Sequence, residues 1–127
     1  MNKKRFVKKR IKVYLIATEA SGDVIGSNLI KSLKKVKSIK VKFYGIGGPK
    51  MISSGLGKSL FPIKELSILG IFEIIPKIFN IFNLLDKTEK DLTKIKPNIL
   101  VTIDSPDFNF RVLKRISKKI LFSKKIH

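Results

Sequence analysis

The sequence predicts a parallel α/β sheet of the Rossmann type, and three observations predict it. Two short runs, IKVYLIAT at 11–18 and ILVTI at 99–103, have the nearly unbroken hydrophobicity of strands buried on both faces. Each runs into a polar loop, and each loop runs into a stretch whose apolar residues recur at helical spacing. The resulting order of strand, helix, strand, small strand, helix, strand, helix is that of a one-way half sheet built with right-handed crossovers.

The first strand is carried by Val13, Leu15, Ile16 and Ala17 and stops at Glu19-Ala20-Ser21-Gly22-Asp23. A helix is predicted over 22–37, with Ile25, Leu29, Leu33 and Val36 spaced four, four and three apart on one face. Ser21 is placed to cap it, and Asp23 falls in its first turn, where a carboxylate suits exposed amides. A second strand at 41–44 leaves through Gly45-Ile46-Gly47-Gly48-Pro49, where adjacent glycines before a proline signal positive φ or close approach to another group. A third small strand is predicted at 59–61 and a helical turn or two at 63–69. From 75 onward Ile75, Ile78, Phe82, Leu85 and Leu92 recur at three, four, three and seven, a helix reaching about 95 with Pro76 in its first turn. Lys96-Pro97-Asn98 ends that helix and feeds the strand at 99–103; the loop 104–109 follows, then a helix over 110–120. Another strand normally comes next in such a sheet. A partial domain over 11–120 is therefore expected, flanked by a basic tail at 1–10 and a truncated or divergent tail at 121–127.

Composition narrows the classes. With no cysteine, disulfides and thiolate metal sites are excluded, and one histidine, at the last position, argues against zinc. The basic start is followed by too short an apolar run for a signal peptide or a membrane span, so that run reads as a buried strand. The formal charge of +19 is concentrated at the ends: six basic side chains within 1–10 and seven, with no acid, within 111–127. Such a field draws polyanions, whether nucleic acid, anionic lipid or an acidic substrate. Lysine outnumbers arginine and no aromatics interleave with the charges, so nucleic acid is not the expected partner and a plainly solvated lysine surface is an equal reading.

In a doubly wound sheet, ligands bind at the carboxyl ends of the strands where the strand order reverses. The polar loops 19–23, 45–49 and 104–109 all belong to that edge. Glu19 sits directly at a strand end, suited to orienting a hydroxylated ligand; Asp23 and Ser21 are divided between capping the helix and touching a ligand. Gly22, Gly47 and Gly48 answer a steric need, but no complete dinucleotide or phosphate-loop motif is present. Asp104 follows the apolar strand and should emerge partly buried, either as a base able to take a proton from a sugar hydroxyl or as an Asx-turn that ends the strand. Asp107 reads as a cap for the last helix, with Asn109 in its first turn. Within the apolar stretch 66–85, Ile74, Phe79 and Ile81 lie off the main helical stripe. They pack on the sheet or form an apolar patch that meets a bilayer surface or an acyl chain.

Four ordered segments, ATEASGD at 17–23, GIGGPKM at 45–51, ELSILGIFE at 65–73 and the run from Lys96-Pro97 to IDSPDFN at 103–109, resemble lipid-A-disaccharide synthase. That family comprises two-domain, Rossmann-like glycosyltransferases of the B type, and the likeness spans 11–113. It implies transfer of 2,3-diacylglucosamine from UDP-2,3-diacylglucosamine to 2,3-diacylglucosamine 1-phosphate, forming the lipid A disaccharide and UDP with neither metal nor cofactor. By the same likeness Asp104 matches the essential aspartate. Glu19, Ser21, Gly22, Asp23, Gly47, Gly48, Asp107 and Asn109 belong to acceptor-side loops, and the apolar stretch meets acyl chains at the inner face of the cytoplasmic membrane. The resemblance thus implies a cytoplasmic protein, peripheral to that membrane in a Gram-negative bacterium.

Departures accompany the match. Thr18 stands where the family commonly has glycine, and neither the family's aromatic segment after the next strand nor its C-terminal sugar-nucleotide domain is present. The chain alone is therefore expected to be inactive, and a separately encoded C-terminal domain is one expected partner. The reading from another class is a basic α/β module that binds a membrane surface or nucleic acid without catalysis.

Overall fold

A computed structural model of the chain describes residues 9–66 and 75–119. The first eight residues, the tail at 121–127 and the positions 67–69 of the predicted helical turn lie outside the described residues.

Strand β1 (Lys9–Ala17) is flanked by β2 (Ile39–Ile46) and β3 (Ile99–Ile103) in a parallel sheet of order β2-β1-β3. The register pairs Leu15 with Gly45 on one side and with Val101 on the other. β1 is central and helices cover both of its faces, which is why its sequence is apolar at successive positions rather than alternating. Asn98 extends the second pairing by one residue: Lys12 N–H donates to its Oδ1 at 2.7 Å, and its own N–H donates to Lys12 O at 2.9 Å. Gly45 is required here, because at φ 130° a Cβ would lie 1.9 Å from Leu15 O.

Helices cover both faces of the sheet. On one face α1 (Ala20–Lys34) and the short α2 (Pro49–Met51), which continues as a wide turn over Ile52–Leu56, pack on Val13, Leu15, Ala17, Phe43 and Ile103. On the other, α3 (Ile75–Ile95) and α4 (Pro106–Lys119) pack Leu84, Leu85, Leu92, Phe108, Val112 and Ile116 against Tyr14, Ile16 and Ile46. Each fully buried leucine or isoleucine in these two layers contributes about 1.5–3 kcal/mol. Tyr14 carries the one polar group at the centre of the sheet: its hydroxyl donates to Asp91 Oδ2 on α3 at 2.7 Å. Burial, and then that carboxylate, hold the phenol protonated far above its ordinary range.

Three expectations are corrected. Helix α1 buries only part of the predicted stripe: Leu29 and Leu33 are half-buried against the core, but Ile25 is 52% exposed and Val36, exposed too, lies beyond the helix, while Gly22, Gly26, Ser27 and Ile30 face inward. The helix lies so close to the sheet that a Cβ on Gly22 would stand 3.2 Å from Ala17 Cβ, a distance that small residues alone permit. No strand forms at 59–61: a single bond, Leu60 N–H to Gly45 O at 2.8 Å, joins it to β2, and 64–66 is helical. Helix α4 begins at Pro106 instead of 110, since proline is tolerated where the first turn needs no amide donor.

Candidate active site

The chain leaves β1 through α1 to form β2 on one side, then returns past β1 to lay β3 on the other. The strand order therefore reverses between β1 and β3, and their carboxyl ends, Ala17 and Ile103, are partners in register. Such a point opens a crevice beyond the sheet edge.

Three of the expected residues come together there. Glu19 and Ser21 are exposed on the turn into α1, and Asp104 is exposed at the end of β3. Ser21 Oγ donates to Asp104 Oδ2 across a long 3.4 Å. Asp104 is thus not partly buried as expected, because the strand ends one residue earlier and the turn carries it clear of the sheet. That turn is conformationally unusual: Asp104 has φ 51° and Ser105 φ 45°, consecutive left-handed residues that are not glycine. Each costs about 1 kcal/mol or more relative to the ordinary regions. Two buried groups hold it. Thr18 Oγ1, at the end of β1, donates to Ser105 Oγ. Asn109 Nδ2, one turn into α4, donates to Asp104 O at 2.5 Å and Ile103 O at 3.5 Å.

The remaining acceptor-side residues have other places. Ser21 is not the cap of α1, whose N-cap position is Glu19. Asp23 caps a different segment: its buried carboxylate accepts from the N–H groups of Gly48, Lys50 and Met51 at 2.9–3.0 Å, closing the start of α2. Gly48 stands against this carboxylate, where a Cβ would lie 2.5 Å from Oδ2, and Gly47 and Gly26 make room for the Met51 sulfur. SGD and GGPKM therefore form an interlock between α1 and α2, with both Asp23 oxygens consumed inside the protein. Asp107, expected as a cap, occupies the second position of α4 and lines a groove of about 640 Å³ between α3 and α4.

That groove holds side chains the sequence reading does not assign to a site, among them Phe82, a member of the apolar stripe predicted for α3. Phe82 and Phe110 are exposed, the latter by 67%, beside Arg111, Lys114 and Lys118. Arg115 is engaged by Asp86, and Glu89 lies 3.6 Å from it, whereas no ion pair to Arg111, Lys114 or Lys118 occurs among the described residues. The available signal was the spacing of Phe108, Val112 and Ile116, which buries one face of α4 and turns Phe110 outward. Of the expected apolar patch, Ile74 and the side chain of Phe79 lie outside the described residues, and Ile81 is half-buried against the core.

The sequence that builds these strand ends and loops matches a known family. The family model for lipid-A-disaccharide synthetase covers residues 13–127. The chain belongs to this family. Proteins named lipid-A-disaccharide synthase from Rickettsia bellii and Rickettsia akari are each 47% identical to it over 116 residues, 91% of this chain. One from Rickettsia conorii is 40% identical over 129 residues. The chain spans about three tenths of the length of these relatives, whose N-terminal part it matches. The three-stranded parallel sheet is accordingly an incomplete Rossmann-like α/β domain. Family membership leaves the reading as a binding module without catalysis unsupported.

Proposed function

We propose that this chain forms the acceptor side of an enzyme that transfers 2,3-diacylglucosamine from UDP to 2,3-diacylglucosamine 1-phosphate. The observation that carries the reading is the exposed Asp104 carboxylate at the β1/β3 switch point, in a chain of this family. Asp104 takes the proton from the acceptor's 6-hydroxyl as its oxygen attacks the anomeric carbon of the donor. The bond from that carbon to UDP breaks, UDP leaves with the electron pair, and the disaccharide forms. Glu19 and Ser21, facing the same crevice, orient acceptor hydroxyls. No cofactor beyond the donor is invoked; the donor-side groups come from the remaining length seen in the relatives, in the same polypeptide or another.

The test is a titration of isotopically labelled chain with a short-acyl 2,3-diacylglucosamine 1-phosphate, followed by amide shifts. Saturable changes centred on Thr18–Ser21 and Asp104–Ser105, with none on adding UDP alone, are expected. Changes scattered over the lysines would sink the reading.

We also place the working chain at the inner face of the cytoplasmic membrane, as a peripheral protein. Support comes from the exposed Phe82 and Phe110 beside Arg111, Lys114 and Lys118, a pairing of apolar and cationic groups suited to an anionic interface. No helix among the described residues is long and apolar enough to cross a membrane. Phe110→Ser combined with Lys114→Glu is expected to weaken binding to anionic vesicles, read by sedimentation, about 30-fold or more, since the lysine substitution removes one positive charge and adds a negative one, each worth about 1 kcal/mol. Unchanged sedimentation would exclude this face.

A further inference from the structure

We infer that Asn109 is a positioning residue for Asp104, holding the left-handed turn that aims the carboxylate into the crevice. The inference rests on Asp104 being the base. Its geometric ground lies in how the turn is restrained. Among the described residues the Asp104 carboxylate receives only the long contact from Ser21, so its own bonds do little to set its direction. Its backbone, by contrast, is held from two sides by different elements: the Thr18 hydroxyl on β1 grips Ser105, and the Asn109 amide on α4 grips the carbonyls of Ile103 and Asp104. A side chain one bond from a fixed Cα inherits the direction of that Cα, and a turn in a sparsely populated conformation persists only where its surroundings over-determine it.

Asn109 itself is chemically odd for its place. It is only 3% exposed, and its Oδ1 has no hydrogen-bond partner among the described residues. A buried amide left half satisfied is disfavoured against an apolar side chain of similar volume. The orientation is nonetheless fixed, because the reverse would set Oδ1 against two carbonyl oxygens. The worth of the residue therefore lies in the donor end, which no aliphatic replacement supplies. Thr18 adds the second restraint and clamps the turn from the β1 side as well.

The experiment is nuclear magnetic resonance on the whole chain, reading the backbone carbon shifts of Asp104 and Ser105 and the coupling through the bond from Asn109 Nδ2 to Asp104 O. In the native chain both shifts are expected to be left-handed and the coupling present. In Asn109→Ala the shifts are expected to move out of the left-handed range, with β1 and β2 amides unchanged. Asp104→Gly added to Asn109→Ala is expected to restore the turn, read at Ser105, since glycine enters that region without strain and the Thr18 contact to Ser105 stays in place. Should Asn109→Ala fail to fold, the glycine double variant decides: recovered folding with a left-handed turn supports the inference, and no recovery overturns it. Left-handed shifts persisting in Asn109→Ala would also overturn it, whatever Asp104 does. In a chimera completing the chain with the remainder of the Rickettsia bellii synthase, Asn109→Ala is expected to lower kcat about 10²-fold at unchanged KM, as a misplaced reacting group does. Full transfer by Asp104→Asn in that chimera would instead remove the base assignment underneath the inference.

Discussion

Asp23→Ala is expected to lower the free energy of unfolding by about 3 kcal/mol or more. The carboxylate is 4% exposed and accepts from three backbone amides, two of them in fully buried contacts. Alanine strands all three donors, and each buried donor without a partner costs about 1–3 kcal/mol, reduced where water can follow the truncated side chain. Urea unfolding monitored by circular dichroism reads this as a lower midpoint at unchanged slope. Gly48→Ala strikes the same contact from the other side, with its Cβ placed 2.5 Å from Oδ2. The two substitutions touch one interaction, so together they are expected to cost less than the sum of their separate effects. An Asp23→Ala chain with the native midpoint but no acceptor binding would return Asp23 to the role of a ligand residue.

The second large effect concerns activity. The chain by itself is expected to show no acceptor-dependent release of UDP, because the reacting sugars must be oriented from both sides and orientation with preorganised charge supplies most of the rate. The chimera with the Rickettsia bellii remainder is expected to release UDP, and Asp104→Asn within it to lose about 10²–10⁴-fold in kcat, the usual worth of a general base. Asparagine keeps the shape, the Ser21 contact and the tolerance of a left-handed backbone, so the loss would report the missing proton acceptor and not a collapsed turn. The matching control is Ser21→Ala, expected to act mainly on KM. Equal loss in both variants would mean that Asp104 orients the acceptor without taking its proton.

The strands were legible because burial on two faces writes itself as a continuous apolar run; β3 falls at the expected residues, β2 extends two residues beyond them at each end, and β1 starts two residues early and ends one early. Helix α3 was legible for the complementary reason, that one wide face repeats over many turns. Helix α1 misled because hydrophobic periodicity finds the largest side chains, whereas close packing on a sheet selects the smallest. Ile25 and Val36 drew the eye, while Gly22 and Gly26 made the contact. The loops were recognised as motifs, yet a motif does not say whether its polar atoms face a ligand or each other. Ser21 and Asp104 meet on the exposed carboxyl edge of the sheet, whereas Asp23 and Gly48 face each other and Gly47 faces Met51. No local pattern separates these cases, since Asp23 meets its partners 25–28 residues away. The left-handed turn was equally hidden, because neither Asp104 nor Ser105 is glycine and the groups that hold it sit on another strand and a following helix.

Met51 gives the interlock a redox liability. Its sulfur lies where a single added carbon on either Gly26 or Gly47 would come within 2.5–2.6 Å, and the residue is wholly buried. A sulfoxide adds an oxygen to that sulfur and turns an apolar thioether into a polar group. The folded chain shields the thioether from oxidants, but a chain oxidised while unfolded meets a socket with no room for the extra atom. For this segment, damage before folding and damage after it are different events: the first bars the native state until a reductase restores the thioether, and the second rarely happens.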